Sequence, residues 1–314
     1  MAKKYLSNSD IKLAVIGGDV RQLWLARALA EDGYEVAVCG AGGDVGGEDI
    51  LGGAVRCISA RDALHLCDAV ILPLPYTTDG RRVSCPLGGD ILLSDIFGGV
   101  PVGTLILAGR VDEAAREMAK GAGLVIEDYY DREDVCVENA IPTAEGAAAV
   151  AISELPVTLH GSNVAVLGFG RVGRAVANLL KGFGANVTVA ARRDDDLAWI
   201  KLYGYKPLHF SRIMELCSGY DVIFNSVPAR VLGDVWLKNF ASSSPSWKLI
   251  IDLASKPGGV DPDAAKAYGI KLIRALSLPG RVAPATSGMI LRTGIVNILK
   301  EHGIYAEGKG GSTP

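Results

Sequence analysis

The run Gly168-Phe169-Gly170-Arg171-Val172-Gly173 places glycines at its first, third and sixth positions. An apolar strand pattern precedes it at residues 164–167, and an apolar helical stripe of Val176, Leu179 and Leu180 follows. Each glycine has a distinct use. Gly168 permits a tight turn, Gly170 lets the backbone approach a pyrophosphate, and Gly173 lets helix and strand pack closely, so that phosphates rest on unpaired N–H groups at a helix N-terminus. A lone match of this kind also reads as a glycine-rich turn; here strand, helix and second strand stand in register. The whole run, with Phe169, Arg171 and Val172, is assigned to dinucleotide binding. The second strand ends VTVAARRDDD. Ala191 takes the position where an acid would hold the ribose hydroxyls, and Arg192 and Arg193 follow with forked donors suited to a phosphate monoester. NADP is therefore the expected cofactor. The competing reading has both arginines on a solvated face, paired with Asp194, Asp195 and Asp196.

Ligands of wound α/β sheets lie beyond the carboxyl ends of the strands, which directs attention to four loops. Residues 225–230 (NSVPAR) and 252–259 (DLASKPGG) follow two strands of the cofactor half, and Asn225, Val227, Pro228, Asp252 and Ala254 are expected to face the nicotinamide. Residues 278–284 (LPGRVAP) read as a loop that follows the last strand and enters a helix near Thr286. Residues 73–77 (PLPYT) end a strand of the first half and form the opposite wall. The turn Gly17-Gly18-Asp19-Val20-Arg21-Gln22 lacks a third glycine and sets a carboxylate where a pyrophosphate would sit. A second nucleotide is not expected there, and Asp19 as a helix cap competes with a substrate or interdomain role for Asp19, Arg21 or Gln22. His65, His160, His209 and His302 read as structural or surface residues, which separates the chain from dehydrogenases that use a histidine–acid couple.

The elements that must position these loops follow from composition and period. The chain has 314 residues, 49% of them hydrophobic, enough for about two domains with sizeable cores. Lys and Arg number 32 against 35 Asp and Glu, and a net charge of −3 offers no footprint for a nucleic-acid backbone. Six scattered cysteines show no C-x-x-C pair, so neither a zinc site nor a disulfide framework is expected, and the thiols read as reduced. No stretch reaches the roughly 18 uninterrupted apolar residues of a membrane span, and MAKKYLSNSD lacks the apolar core of a leader; a cytoplasmic protein is expected.

Two strand–turn–helix–strand units, at residues 11–40 and 162–193, repeat one plan. Further short apolar strands are expected at residues 69–75, 104–109, 124–130, 187–190, 222–225, 249–252 and 271–274. The fold class is α/β: two doubly wound Rossmann-like domains with parallel sheets, an interdomain helix, and a C-terminal helix returning to the first domain. The expected division is 1–140 for a substrate or partner domain, 141–155 for a connecting helix starting at Thr143, 156–285 for the NADP domain, and 286–314 for the last helix and tail.

In order along the chain, GGDVRQ, IPTAEGA, VLGFGRVG, NSVPA, IDLASKPGG and LPGRVAPATSG resemble the A-subunit family of dipicolinate synthases from spore-forming bacteria. VLGFGRVG is shared with many dehydrogenases, whereas IPTAEGA with LPGRVAPATSG is more specific. The resemblance implies NADP-linked oxidation of dihydrodipicolinate, or its hydroxytetrahydro precursor from the lysine pathway, to pyridine-2,6-dicarboxylate during sporulation. It also implies the flavoprotein-like B-subunit of dipicolinate synthase as partner. A substrate with two carboxylates needs two anion sites. Arg281 with the Gly280 and Val282 amides is the first candidate, and Lys256 or Arg230 the second. Ser255, Ser287 and Thr143 are candidates for orienting a carboxylate or ring nitrogen, with helix capping as the competing use. A homo-oligomer is expected from similar folds. The alternatives are an NADP-dependent dehydrogenase of another amino or hydroxy acid, and a non-catalytic nucleotide-binding protein whose chemistry lies in its partner.

Overall fold

The computed structural model describes residues 7–41, 48–255 and 257–305. The chain divides into two compact units, residues 1–138 with 283–314, and residues 139–282. The first unit runs β1 (Lys12–Ile16), α1 (Val20–Glu31), β2 (Glu35–Cys39), β3 (Val55–Arg56), α2 (Ala60–Leu64), β4 (Ala69–Ile71), α3 (Leu93–Gly99), β5 (Leu105–Ala108), α4 (Glu113–Gly121) and β6 (Val125–Asp128). All its strand pairs are parallel, in the order β3-β2-β1-β4-β5-β6. Alternation along β1 explains both faces. Leu13 and Val15 pack with Leu23, Leu25, Ala26 and Leu29 of α1, while Ala14 and Ile16 pack with Ile96, Phe97, Ala115 and Ala119 of α3 and α4. Each such leucine or isoleucine withdrawn from water stabilises the fold by about 1.5–3 kcal/mol.

The helix α5 (Glu133–Glu154) starts earlier than Thr143 and continues through Pro142. Burial of Val135, Cys136 and Ala140 outweighs the loss of the N–H at the proline, so a residue that reads as a local boundary lies inside the helix. The division between the two units falls within α5, after Glu138. Among the described residues α5 alone is long and apolar enough to cross a membrane by length and composition. Its Ala144, Ala147, Ala148 and Ala151 are packed into the second unit's core.

The second unit continues with β7 (Asn163–Leu167), α6 (Arg171–Gly182), β8 (Asn186–Ala191), α7 (Asp194–Leu202), β9 (Lys206–His209), β10 (Val222–Asn225), α8 (Asp234–Ala241), β11 (Leu249–Asp252), α9 (Pro262–Ala267), β12 (Lys271–Arg274) and α10 (Leu278–Val282). Its parallel sheet has the order β12-β11-β10-β7-β8-β9, so both units share the doubly wound 3-2-1-4-5-6 plan. The loop expected at 278–284 is corrected: Leu278–Val282 is a short helix. Leu278 is buried in the second core, against Gly146 at a spot where any Cβ would lie 2.9 Å from the Leu278 Cβ, and Pro279 suits the helix's first turn.

The last helix, α11 (Pro284–Glu301), belongs to the first unit and packs along α1. Gly288 makes the approach possible, since a Cβ there would lie 2.7 Å from Trp24 Cβ and 2.9 Å from the Leu25 nitrogen. Arg292 grips Asp32 with two donors, Nε at 2.6 Å among them. All six cysteines are free, and burial pushes the Cys67 and Cys217 thiols up to about 11, which keeps them protonated and unreactive at neutral pH.

Candidate functional site

At the carboxyl end of β7 the chain turns through Gly168 at φ +93°, a left-handed conformation open to glycine. The Gly168 N–H donates to the Ala190 carbonyl at 2.9 Å, joining the turn to β8. A Cβ on Gly173 would collide with the Gly168 carbonyl oxygen and lie 2.9 Å from its carbon, so this third glycine lets α6 lie against the turn. Gly170 is the N-cap of α6, and no side chain caps the helix. A Cβ on Gly170 would meet no described atom within 4 Å. The arrangement is a backbone cradle at the positive end of a twelve-residue helix, the donor set a pyrophosphate needs. Phe169 turns inward, 6% exposed, beneath the Arg174 guanidinium at 4.7 Å. Arg171 is exposed, and Val172 packs against the core.

The two arginines after β8 have different fates. Arg193 donates through Nε to Asp195 at 2.8 Å and through Nη2 to its other oxygen, so the competing salt-bridge reading describes this residue. Asp196 is turned toward Arg174, at 3.6 Å. Arg192 is exposed next to the buried Ala191, and its carbonyl accepts from His209 Nε2 at 2.9 Å. Its guanidinium has no partner among the described residues.

The loops after β10 and β11 are tied together from below. Asn225, fully buried, donates to Asp252 Oδ1 at 2.7 Å and to the Val227 carbonyl at 3.1 Å. Asp252, 1% exposed, also accepts from the Ala254 N–H at 3.2 Å and the Gly259 N–H at 3.0 Å. Of the five residues expected to face the nicotinamide, Asn225 and Asp252 are thus engaged in bracing, Ala254 is buried and Val227 packs against the core, while Pro228 stays exposed beyond them. Ser226, for which the sequence predicts no role, sits against the cradle: its Oγ donates to the Leu167 carbonyl at 2.8 Å and lies 2.7 Å from where a Gly168 Cβ would be. A serine after a strand end carries no sequence signal for this.

Of the anion-site candidates, Arg281 is an exposed residue of α10 whose guanidinium has no partner among the described residues. The Val282 amide, placed beside it by the loop reading, lies within the helix and is directed along its axis. Arg230 pairs with Asp261 at 3.2 Å. Lys256 lies outside the described residues. Ser255 is half-buried, and its carbonyl accepts from Gly258 in a turn. Thr143 Oγ1 donates to the Asn139 carbonyl at 2.9 Å, and the buried Ser287 donates to the Ala283 carbonyl at 2.8 Å; both hydroxyls bond the carbonyl four residues back in their own helices, so neither acts as a helix cap. His209 caps the segment Phe210–Cys217, His160 faces the Phe183 carbonyl at 3.3 Å, and His302 lies 3.4 Å from Glu127.

The first unit's equivalent turn is built otherwise. Asp19 caps α1 by accepting from the Arg21 N–H at 3.0 Å, and the Gly18 N–H is committed to the Ser84 carbonyl at 2.7 Å. Arg21, 7% exposed, holds Asp19 at 2.8 Å with both Nε and Nη2, and its Nη2 also donates to the Leu74 carbonyl. That geometry has no cradle for a pyrophosphate. A cavity of about 620 Å³ lined by Asn163, Asn186, Lys206 and Tyr220 lies at the amino ends of β7, β8 and β9, the opposite edge of the sheet from the glycine turn.

Residues 12–130 match the family model of the N-terminal domain of the dipicolinate synthase A-subunit, and residues 144–232 match that of the D-isomer specific 2-hydroxyacid dehydrogenase, NAD binding domain. The chain is 35% identical over 298 residues to the dipicolinate synthase A-subunit of Bacillus subtilis (strain 168), covering 93% of this chain and 97% of that protein. The crystal structure of the dipicolinate synthase A-subunit from Bacillus halodurans superposes with a TM-score of 0.83 at 33% identity, over 94% of this chain and 98% of that one. That of the dipicolinate synthase A chain from Bacillus subtilis gives 0.79 at 35% identity, over 93% and 96%.

Proposed function

Because the chain belongs to the A-subunit family of dipicolinate synthases, we propose that it oxidises dihydrodipicolinate, or its hydroxytetrahydro precursor after loss of water, to pyridine-2,6-dicarboxylate with NADP. The observation that carries the reading is the uncapped α6 N-terminus under Gly168, Gly170 and Gly173, with the unpartnered Arg192 at the end of β8. NADP, when bound, supplies the hydride acceptor. One ring C–H bond breaks with its electron pair leaving as hydride, one proton is released, and the ring gains aromaticity, so the protein's task is chiefly to position the ring and neutralise charge. Gly168, Gly170 and Gly173 hold the pyrophosphate, Ser226 keeps their turn in place, and Asn225 and Asp252 fix the two loops beyond it. Arg281 receives one substrate carboxylate. The activity belongs to a sporulating bacterium's mother-cell cytoplasm, with the synthase's B-subunit as partner and a homo-oligomer as the working form.

The test is NADP reduction by the purified chain given freshly generated dihydrodipicolinate, followed together with the ultraviolet absorption of the pyridine, with and without the B-subunit. Turnover by the chain alone is expected. Turnover only with the B-subunit would make this chain the nucleotide-binding half of a shared catalyst, and none in either case, with NADP still bound, would overturn the substrate assignment. On the cofactor side, Arg192→Ala is expected to weaken NADP about 10- to 100-fold, the worth of a lost charge-assisted phosphate contact. NAD affinity should stay unchanged. An unaltered NADP/NAD ratio would remove Arg192 from the phosphate site.

A further inference from the structure

Gln22 lies in the first turn of α1, a twelve-residue helix, and is 1% exposed. Neither its Nε2 nor its Oε1 has a hydrogen-bond partner among the described residues. An unpaired buried carboxamide costs about 1–3 kcal/mol, and native chains rarely keep one without a use. The side chain leans back over the glycine turn, since a Cβ on Gly18 would collide with Gln22 Cγ and lie 2.9 Å from its Cβ. Gly18, at φ +91°, therefore leaves room for this carboxamide at the carboxyl end of β1. The turn is also electrically prepared. Asp19 is neutralised by the two-pronged grip of Arg21, whose Nη1 takes no part in these bonds. The segment of Val83, Ser84 and Cys85 packs against Gly17 at the start of the turn.

We propose that Gln22 is a carboxylate-recognition residue of the first unit, donating through Nε2 to one carboxylate of the pyridine-2,6-dicarboxylate skeleton, an assignment that rests on the function proposed above. A carboxylate accepts from a carboxamide N–H with charge-assisted strength. The turn that cannot hold a nucleotide thus has a different anion to hold.

The test uses the full chain, titrated calorimetrically with pyridine-2,6-dicarboxylate and separately with NADP. Gln22→Met replaces the carboxamide by an apolar side chain of similar length. Its expected signature is split: the ligand-free melting temperature is equal to or above that of the parent, because an unpaired polar group is gone, while dicarboxylate affinity falls about tenfold or more, equivalent to about 1.4 kcal/mol. NADP affinity should hold. A structural role moves the first readout the other way. Unchanged dicarboxylate affinity, or a lower melting temperature in the ligand-free chain, overturns the proposal. If the Met variant does not fold, Gln22→Glu decides: it keeps the shape, sets an anion against the carboxylate, and is expected to lose the dicarboxylate while retaining NADP. Failure of the parent chain both to bind pyridine-2,6-dicarboxylate and to oxidise its precursor would remove the proposed function itself, whereas binding by parent and Gln22 variants alike would remove only this assignment.

Discussion

Gly173→Ala is expected to lose dinucleotide binding by well over tenfold and to lower stability at the same time, whereas Gly170→Ala should lose binding alone. The difference comes from what each added methyl meets. At position 173 it falls against the Gly168 carbonyl, with Ser226 Oγ at 3.1 Å. Neither the carbonyl nor the helix can step aside without opening the turn between β7 and α6. Overpacking of this kind costs about 1–3 kcal/mol, and the displaced turn no longer aims its amides at one phosphate. At position 170 the methyl meets no described atom within 4 Å, so the free chain has no reason to melt lower, but the methyl stands where the pyrophosphate must approach the backbone. Calorimetric titration with NADP beside a thermal melt separates the two. Parent-like affinity in Gly173→Ala, or a destabilised Gly170→Ala, would contradict the division of labour among the three glycines.

These glycines were legible because the chemistry is local: strand period, turn and helix period adjoin within one stretch. The same holds for the repeated winding, since β1 and β7 each open a strand–turn–helix–strand run whose apolar alternation is strong. Legibility fails where the deciding partner is distant or the element is too short to show a period. The edge strands β3, of two residues, and β9, with Lys206 and Pro207, look like loop in isolation and exist because β2 and β8 offer them a ladder. The start of α5 at Glu133 is set by burial around Val135 and Cys136, so Pro142 misleads a purely local reading. At the site, the sequence showed two arginines but not that Asp195 would engage Arg193 and leave Arg192. It likewise showed Asn225 and Asp252 at strand ends, where ligands are sought, without showing that each is the other's partner.

That partnership makes Asp252→Ala the substitution with the largest expected loss of stability. The buried carboxylate accepts from Asn225 Nδ2, the Ala254 N–H and the Gly259 N–H. Removing it leaves the Ala254 and Gly259 N–H groups and one Asn225 N–H without an acceptor in a place water does not reach, and each buried donor left unsatisfied costs about 1–3 kcal/mol, together a large share of the roughly 5–15 kcal/mol that holds a typical domain folded. Asp252→Asn should cost less, about 1–3 kcal/mol, because one oxygen remains while the new NH2 confronts a donor. The readout is the urea midpoint followed by tryptophan fluorescence, to which Trp199, Trp236 and Trp247 of the second unit contribute. NADP affinity of the folded fraction should fall in the same order, because the loops after β10 and β11 depend on this carboxylate for their positions. A change below about 1 kcal/mol in Asp252→Ala, with cofactor affinity retained, would mean that those loops are held by their strands alone and that the buried pair has no part in shaping the site.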